Sequence, residues 1–268
     1  MDESVKDSGK KKRSWRFRWS LRVFFVFIGL VAVGLGLLGY KMRVGYLHDN
    51  VADNIVELGG RVAWKLTRTV WIMPHSSQTP GGGQIFYFGV ATRKIKAGPD
   101  WMQSLGVEPA FQRIECAYFH EKSPEKLTRF LLEIERLDRI EGVHLSNTPI
   151  QEEQLEHLLA QVEMNGLGIG ETTIGNRRLP FLKDTKLSFL FVPNTPFSDE
   201  LLDDLPDTLT HLDATSTKIT DDGLPKLVRL KNLVSLKLAL TPTSEVAIDA
   251  LRQKMPWCTI EWDPLEQP

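Results

Sequence analysis

Residues 187–197 read LSFLFVPNTPF and residues 140–150 read IEGVHLSNTPI, with apolar and threonine residues at the same places. Both follow one pattern, apolar-x-x-apolar-x-apolar-x-x-Thr-x-apolar, which occurs four times in full and once without its last apolar residue. The threonines are 24, 23, 22 and 24 residues apart, so the copies are in phase. A short fixed period indicates a stack of similar units. The copies begin at Ile140, Met164, Leu187, Leu209 and Leu233.

Each copy predicts a short strand, a turn and then a helix. The residues after the threonine carry apolar pairs at helical spacing, such as Leu155 with Leu158. Ser198, Thr220 and Ser244 each precede an acidic residue, which fits the N-cap of such a helix. Because one unit cannot bury its strand face and its helix face alone, stacking predicts a parallel sheet on the concave side with helices outside.

This pattern resembles the leucine-rich-repeat family, in a bacterial form with threonine where many members have asparagine. The resemblance covers about residues 111–262 and implies an α/β solenoid preceded by a small α+β cap. A closer resemblance is to bacterial proteins with a basic N-terminus, one membrane span, a helix ending in Leu-Gly-Gly and then such repeats. Residues 99–106 (PDWMQSLG) and 255–260 (MPWCTI) look like the cap elements of that group. The resemblance implies a binding scaffold, with no cofactor, rather than an enzyme.

Residues 21–40 (LRVFFVFIGLVAVGLGLLGY) predict a membrane-spanning helix, because twenty residues rise about 30 Å, the hydrocarbon thickness of a bilayer. The alternatives are a buried core helix and a cleaved signal peptide, whose apolar stretch is normally shorter. We therefore divide the chain into a basic cytoplasmic tail, a transmembrane helix, a juxtamembrane helix with an α+β cap, repeats with a C-terminal cap, and a short tail. The boundaries are 1–20, 21–40, 41–110, 111–262 and 263–268.

The chain carries a net charge of −1 over 268 residues, but the charge is unevenly distributed. Residues 1–43 hold ten Lys or Arg and three acidic residues, whereas the rest holds 23 basic and 31 acidic residues. Most of the basic residues precede the span, which predicts a cytoplasmic N-terminus and an extracytoplasmic, periplasmic body in a single-pass cell-membrane protein. The cluster KKKR at 10–13 suits anionic lipid; nucleic acid is the alternative partner, but we expect none.

Small residues share one face of the predicted span and would permit a homodimer through close helix packing. Their alternative explanation is that glycine is common in membrane spans. They are Gly29, Ala32, Gly36 and Gly39.

Between the span and the repeats, apolar residues at spacings of three and four predict a helix that ends at Gly59-Gly60. Strands are expected in 61–73 and 85–94, a loop in 74–84, and a short helix in 99–105.

The threonine of each repeat invites a functional interpretation, but we expect a structural one: its hydroxyl satisfies backbone groups of adjacent repeats. Cys116 and Cys258 fall on the first and last strands, six strand spacings or roughly 29 Å apart. That distance excludes a disulfide within the chain, and both thiols are expected to be buried.

Alternation along each strand defines a predicted concave face. Outward aromatic residues are costly unless covered, so Phe189 and Phe191 are candidates for a protein-contact patch. The alternative is that both rings cover the bare backbone of Gly166 and Gly168. A degenerate first repeat starting at Phe111 adds Arg113 and Glu115 to this face, and Asp213 is expected to pair with Lys237. The candidate binding residues are His144, Phe189, Phe191, His211, Asp213 and Lys237.

No catalytic, cofactor-binding or metal motif is present in the sequence, so an enzyme is not expected. Two functions are compatible with a tethered solenoid. The favoured function is a scaffold that binds an unknown protein or cell-envelope ligand through the concave sheet. The alternative is a structural envelope protein that self-associates through the repeats and the membrane helix.

Overall fold

The computed structural model describes residues 21–64 and 104–265. The predicted basic tail 1–20, the expectations for 65–103 and the last three residues of the predicted tail 263–268 lie outside the described residues. The chain divides into two compact units, Met1–Tyr40 and Lys41–Pro268. In the first unit, helix α1 begins at Leu21, and its large apolar side chains are at least 43% exposed, apart from the half-buried Leu38. Over the described residues, α1 alone is long and apolar enough to cross a membrane, a test that core helices and signal sequences also pass.

In the second unit, α1 continues to Glu57 and buries one face. Gly45 lies where the helix meets the 3-10 helix Glu108–Phe111: a Cβ at Gly45 would lie 1.5 Å from the carbonyl oxygen of Pro109. Only glycine permits this close approach. The helix stops before Gly59, whose φ of 93° is a left-handed conformation that glycine tolerates. The buried residues are Gly45, His48, Val51, Ala52 and Ile55.

One eight-stranded sheet runs through the second unit in sequence order. Strand β1 pairs antiparallel with β2, and every later pair is parallel, as the repeat pattern predicts. The strands are β1 Arg61–Trp64, β2 Ile114–Tyr118, β3 Arg139–His144, β4 Glu163–Gly168, β5 Phe189–Phe191, β6 His211–Asp213, β7 Ser235–Lys237 and β8 Thr259–Glu261.

The convex side is more irregular than the predicted series of helices. Two of its segments are short 3-10 helices, and a third is a single α-helical turn. In chain order the segments are α2 Pro124–Ile134, α3 Glu152–Gln161, the 3-10 helices Pro180–Asp184 and Leu201–Asp204, α4 Leu224–Leu227 and α5 Glu245–Lys254.

The predicted N-caps have different outcomes. The Ser244 hydroxyl accepts from the backbone N–H of Ala247 and caps α5, as predicted. The prediction is wrong for Ser198 and Thr220, because the convex segments of their repeats begin later, with Glu200 and Gly223 at the cap positions. The Thr220 hydroxyl accepts from the backbone N–H of Asp222 at 3.3 Å, before this segment begins, and donates to the Asp199 carboxylate at 2.6 Å.

The core is a continuous row of side chains that face the convex segments. Each strand from β2 to β8 contributes its next-to-last residue, and the parallel register stacks these residues from repeat to repeat. At about 25 cal/mol per Å² of apolar area removed from water, this burial supplies the main stabilisation of the solenoid. The central row is Ala117, Val143, Leu167, Leu190, Leu212, Leu236 and Ile260.

The repeat threonines are buried and satisfy backbone groups, but in a different way from the prediction. Each hydroxyl donates to the carbonyl three residues earlier in its own repeat, at 2.6 to 2.8 Å, not to a neighbouring repeat. The preceding residue has a φ of 54 to 57°, and its N–H donates to the next repeat at 2.8 to 2.9 Å. The hydroxyl therefore stabilises the corner, which is the turn that follows each strand, while the backbone N–H links one repeat to the next. These corner residues are Asn147, Glu171, Asn194, Ser216 and Leu240.

Leu240 is the least suitable residue for such a corner. A left-handed backbone costs a bulky L-residue about 1–2 kcal/mol, whereas asparagine tolerates it. Because Leu240 is 42% exposed, Leu240→Asn loses little burial and should raise the free energy of unfolding by about 1 kcal/mol. Urea unfolding of the full chain in detergent measures this change. The reverse exchange at the equivalent corner, Asn194→Leu, should lower stability; equal midpoints for both variants would contradict the strain.

The two cysteines are both free and buried, as the sequence predicts. Cys116 lies on β2 and Cys258 immediately before β8, at opposite ends of the parallel strands.

Candidate functional site

Two rows of outward side chains run across β2 to β8 and define the concave face. Residues at the same level are neighbours on adjacent strands, so each row is fixed by the sheet register. All six candidate binding residues lie in these rows. The first row is Cys116, Gly142, Gly166, Phe189, His211, Ser235 and Thr259. The second is Tyr118, His144, Gly168, Phe191, Asp213, Lys237 and Glu261.

Aromatic rings of the second row stand on the sheet and stack along it. The rings of Tyr118 and His144 are 4.7 Å apart and nearly parallel, at 8°. His144 leans over Gly168, where a Cβ would lie 2.3 Å from its Nδ1 atom. The bare backbone of Gly168 thus lets His144 approach Phe191, whose ring lies 6.0 Å away across the glycine. The three rings form one aromatic row.

A second stack lies in the first row. Phe189 and His211 are 4.7 Å apart at an interplanar angle of 22°, which is a stacked geometry. Phe189 also lies beside Gly166, as its Cβ is 3.6 Å from the position of a Cβ there. The covering of Gly166 by Phe189 fits the glycine-covering alternative, whereas Gly168 is covered by His144 and not by Phe191. Both phenylalanines are half-buried.

The histidines of these stacks are neutral at pH 7. Burial, and then the nearby His120, lower the pKa of His144 to about 4. Burial alone lowers the pKa of His211. A neutral imidazole stacks on an apolar ring without the cost of desolvating a charge. The aromatic part of the concave face is therefore uncharged.

The last three strands give the face a charged end. Asp213 accepts from the backbone N–H of Thr215 at 3.0 Å and from its hydroxyl at 2.6 Å. Lys237 forms an ion pair with Glu261 at 3.0 Å. The structure thus gives Thr215 as the partner of Asp213 and Glu261 as a partner of Lys237, whereas the sequence predicted an Asp213–Lys237 pair.

The first repeat is out of phase with the prediction. β2 presents Cys116 and Tyr118 to the concave rows, whereas Arg113 and Glu115 were expected there. The correct phase is visible in the sequence, since Ile114, Ala117 and Phe119 take the three buried positions; all are at most 3% exposed. The repeat threonine is replaced by Lys122.

Tyr118 and Cys116 are functional candidates that the sequence prediction missed. Burial is the main cause that raises the pKa of the Cys116 thiol to about 12, so it is protonated and a poor nucleophile. Burial likewise raises the pKa of Tyr118. Both side chains cluster with Ala63 of β1, which closes this end of the face.

Across residues 21–64 and 104–265, no group of three or more His, Cys, Asp or Glu side chains is placed to hold a metal ion. His211 has its Nδ1 atom 2.9 Å from the hydroxyl of Thr210. The face thus combines stacked aromatic rings with a charged margin, and such a surface can bind a ligand.

No protein-family model matches the chain, and no curated protein is significantly similar to it. A solved structure of an internalin from Listeria monocytogenes is similar, with 19% identity and a TM-score of 0.40. The similarity covers 55% of this chain and 39% of the internalin chain, so this protein spans less than half of that structure. A leucine-rich-repeat-like solenoid is defined by the chain's own parallel sheet, repeated corners and convex turns.

Proposed function

We propose that the chain is a single-pass membrane protein whose repeats form a scaffold outside the cytoplasm. The scaffold binds a protein or cell-envelope ligand through the concave face and is not an enzyme. The observation that carries the binding role is the pair of aromatic stacks on the concave face, Phe189–His211 and Tyr118–His144–Phe191, in which all but Tyr118 are half-buried. Aromatic residues are enriched where interfaces bury them on association.

The exposed apolar side chains of residues 21–40 support the membrane anchor. The large apolar side chains there, apart from the half-buried Leu38, are exposed, and in water such a surface is unfavourable. A bilayer removes this cost, because its hydrocarbon replaces water around the helix. The excess of Lys and Arg before the span favours a cytoplasmic N-terminus and a periplasmic repeat unit.

Site-specific photocrosslinking in native membranes tests the binding role. A photoreactive residue at Ser235, on the concave face, should capture a partner that the same residue at Val246, 82% exposed on α5, does not. Phe189→Ser together with Phe191→Ser should reduce the Ser235 crosslink at least tenfold, since contact residues of this type carry about 1–2 kcal/mol each or more. An unfolding midpoint of the double variant equal to that of the wild-type chain would show that the fold is retained. Equal capture at both positions would contradict binding through the concave face.

Self-association through the span is the alternative function, and one feature favours it. A Cβ at Gly29, Gly36 or Gly39 would meet no atom within 4 Å, so this helix face is open to a second copy. Sedimentation of the full chain in detergent separates the two functions: a strictly monomeric chain contradicts the structural role, whereas a concentration-dependent dimer supports it.

A further inference from the structure

A cavity of about 430 Å³ lies between α1 and the strands that begin the parallel sheet. Its described lining residues come from α1, from the start of β2 and from residues 137–141, which lead into β3. All of them belong to the second unit, and none belongs to the two rows of the concave face. Small-molecule sites usually occupy about 300–1,000 Å³, so this cavity is large enough for a small ligand.

His48 is the most deeply buried polar residue of the cavity wall. It is 6% exposed, and its Nδ1 atom accepts from the backbone N–H of Ile114 at 3.1 Å. The ring is neutral at pH 7, because burial keeps its pKa near 4, so the single ring proton is on Nε2. No described residue accepts a hydrogen bond from Nε2, and this atom is not fully enclosed. A ligand oxygen in the cavity would thus gain a hydrogen bond that is shielded from water.

The charged side chains of the lining are balanced. Two arginines and two carboxylates line the cavity, so neither sign is in excess. Glu163 also lies near Arg139, but it pairs with Lys186 at 3.1 Å. A balanced lining favours neither a simple anion nor a simple cation, and it fits a ligand with one charge of each sign. The four charged lining residues are Arg113, Asp138, Arg139 and Glu141.

The positions of the charges indicate which end of such a ligand meets which residues. Arg113 is close enough to His48 for its charge to lower the pKa of the imidazole. A cation and a neutral N–H donor are therefore neighbours, and together they suit a carboxylate. Asp138 is exposed and has no ion-pair partner among the described residues, so it can accept an ammonium group.

Aliphatic side chains form the rest of the cavity wall. Val44 and Leu47 of α1 are only half-buried there, whereas the aliphatic residues on the sheet side are buried. A hydrocarbon group in the cavity would remove the exposed parts of Val44 and Leu47 from water, which is favourable. The buried residues on the sheet side are Ile114, Leu137 and Ile140.

We propose that this cavity binds a free amino acid with an aliphatic side chain. The carboxylate of the amino acid accepts from His48 Nε2 and from Arg113, and its ammonium group pairs with Asp138. The aliphatic side chain packs against Val44 and Leu47. Because the cavity shares no described lining residue with the concave rows, the site does not rest on the proposed scaffold function.

Equilibrium dialysis of radiolabelled L-leucine against the full chain in detergent tests the ligand class. Binding should be saturable, with a dissociation constant of about 1 mM or tighter for so small a ligand. Two competitors each lack one charge: 4-methylpentanoate has no ammonium group, and 3-methylbutylamine has no carboxylate. Each should compete about tenfold more weakly than unlabelled leucine, since each loses a charge-assisted contact. Absence of saturable leucine binding, or equal competition by either analogue, would overturn the proposal.

Substitutions locate the site within the chain. Val44→Phe fills part of the cavity and should weaken leucine binding about tenfold, whereas Val56→Phe, the same exchange at a position of α1 that is 58% exposed, should not. Asp138→Asn keeps the shape of an exposed side chain and removes its charge. It should weaken leucine binding about tenfold and leave competition by 4-methylpentanoate unchanged. Equal effects of the two valine variants, or full leucine binding by Asp138→Asn, would contradict the site.

Discussion

Replacing Asp204 by alanine is expected to lower the free energy of unfolding of the repeat unit by about 3 kcal/mol. Asp204 ends a 3-10 helix on the convex side and is 1% exposed. Its carboxylate accepts from Arg178, through both Nε and Nη2, and from the backbone N–H of Leu179 at 2.9 Å. The substitution leaves the buried Leu179 N–H without an acceptor and removes charge-assisted bonds between two repeats. Urea unfolding of the full chain in detergent measures the loss.

The control is a second ion pair between neighbouring repeats. Glu163 pairs with Lys186 at 3.1 Å, but both side chains are exposed. Water screens such a pair and solvates either partner after the other is removed, so Glu163→Ala should leave the unfolding midpoint unchanged. A similar loss in both variants would mean that burial of the Asp204 carboxylate is not the cause.

The strands and their register could be predicted because burial alternates along a strand and the repeat multiplies the signal. One in-phase copy is ambiguous, but five copies fix which residues face the core. The prediction failed where the signal was weakest. In β2 the corner threonine is replaced by Lys122, and without it the phase of Ile114 was assigned incorrectly.

The convex side was less predictable for two physical reasons. First, apolar spacing alone does not distinguish a 3-10 helix from an α-helix. Second, contacts such as Arg178–Asp204 join residues 26 positions apart. A surface carboxylate and a buried one have the same letter in the sequence, so the importance of Asp204 emerges only from its packing.

The candidate site was likewise predictable only in part. The concave positions of Phe189, His211 and Asp213 follow from register and were predicted. Their partners were not, because stacking and ion pairing depend on rotamers and on how closely neighbouring strands approach. Gly168 illustrates the difficulty: its missing side chain matters because His144 occupies the space.

His48 is expected to make the protein less stable in mild acid. Its imidazole is buried in α1, and its Nδ1 atom accepts from the backbone N–H of Ile114 at 3.1 Å. Burial, and then the charge of Arg113, lower the pKa of His48 from its ordinary value of 6.5 to about 4. Protonation would place a proton on Nδ1, and the Ile114 N–H would then face another donor.

The direction of the change in stability with pH follows from proton uptake. Between pH 6.5 and 4 the unfolded chain binds a proton at His48 that the folded chain does not, so stability falls as the pH falls. The loss is about 1.4 kcal/mol per pH unit within this window, on the order of 3 kcal/mol once pH 4 is reached. His144 acts in the same direction, since its pKa is also about 4. Above pH 6.5 the full contribution is present.

His48→Asn separates the two histidines. The asparagine oxygen can accept from the Ile114 N–H without titrating, so the variant should lose roughly half of the pH dependence measured by urea unfolding between pH 7 and 4.5. Asn50→Ala, at an exposed position two residues away, should keep the wild-type slope. If His48→Asn keeps it as well, the buried hydrogen bond to Ile114 is not the source of the acid sensitivity. A reduced slope would show that α1 is held on the first repeat by a neutral imidazole.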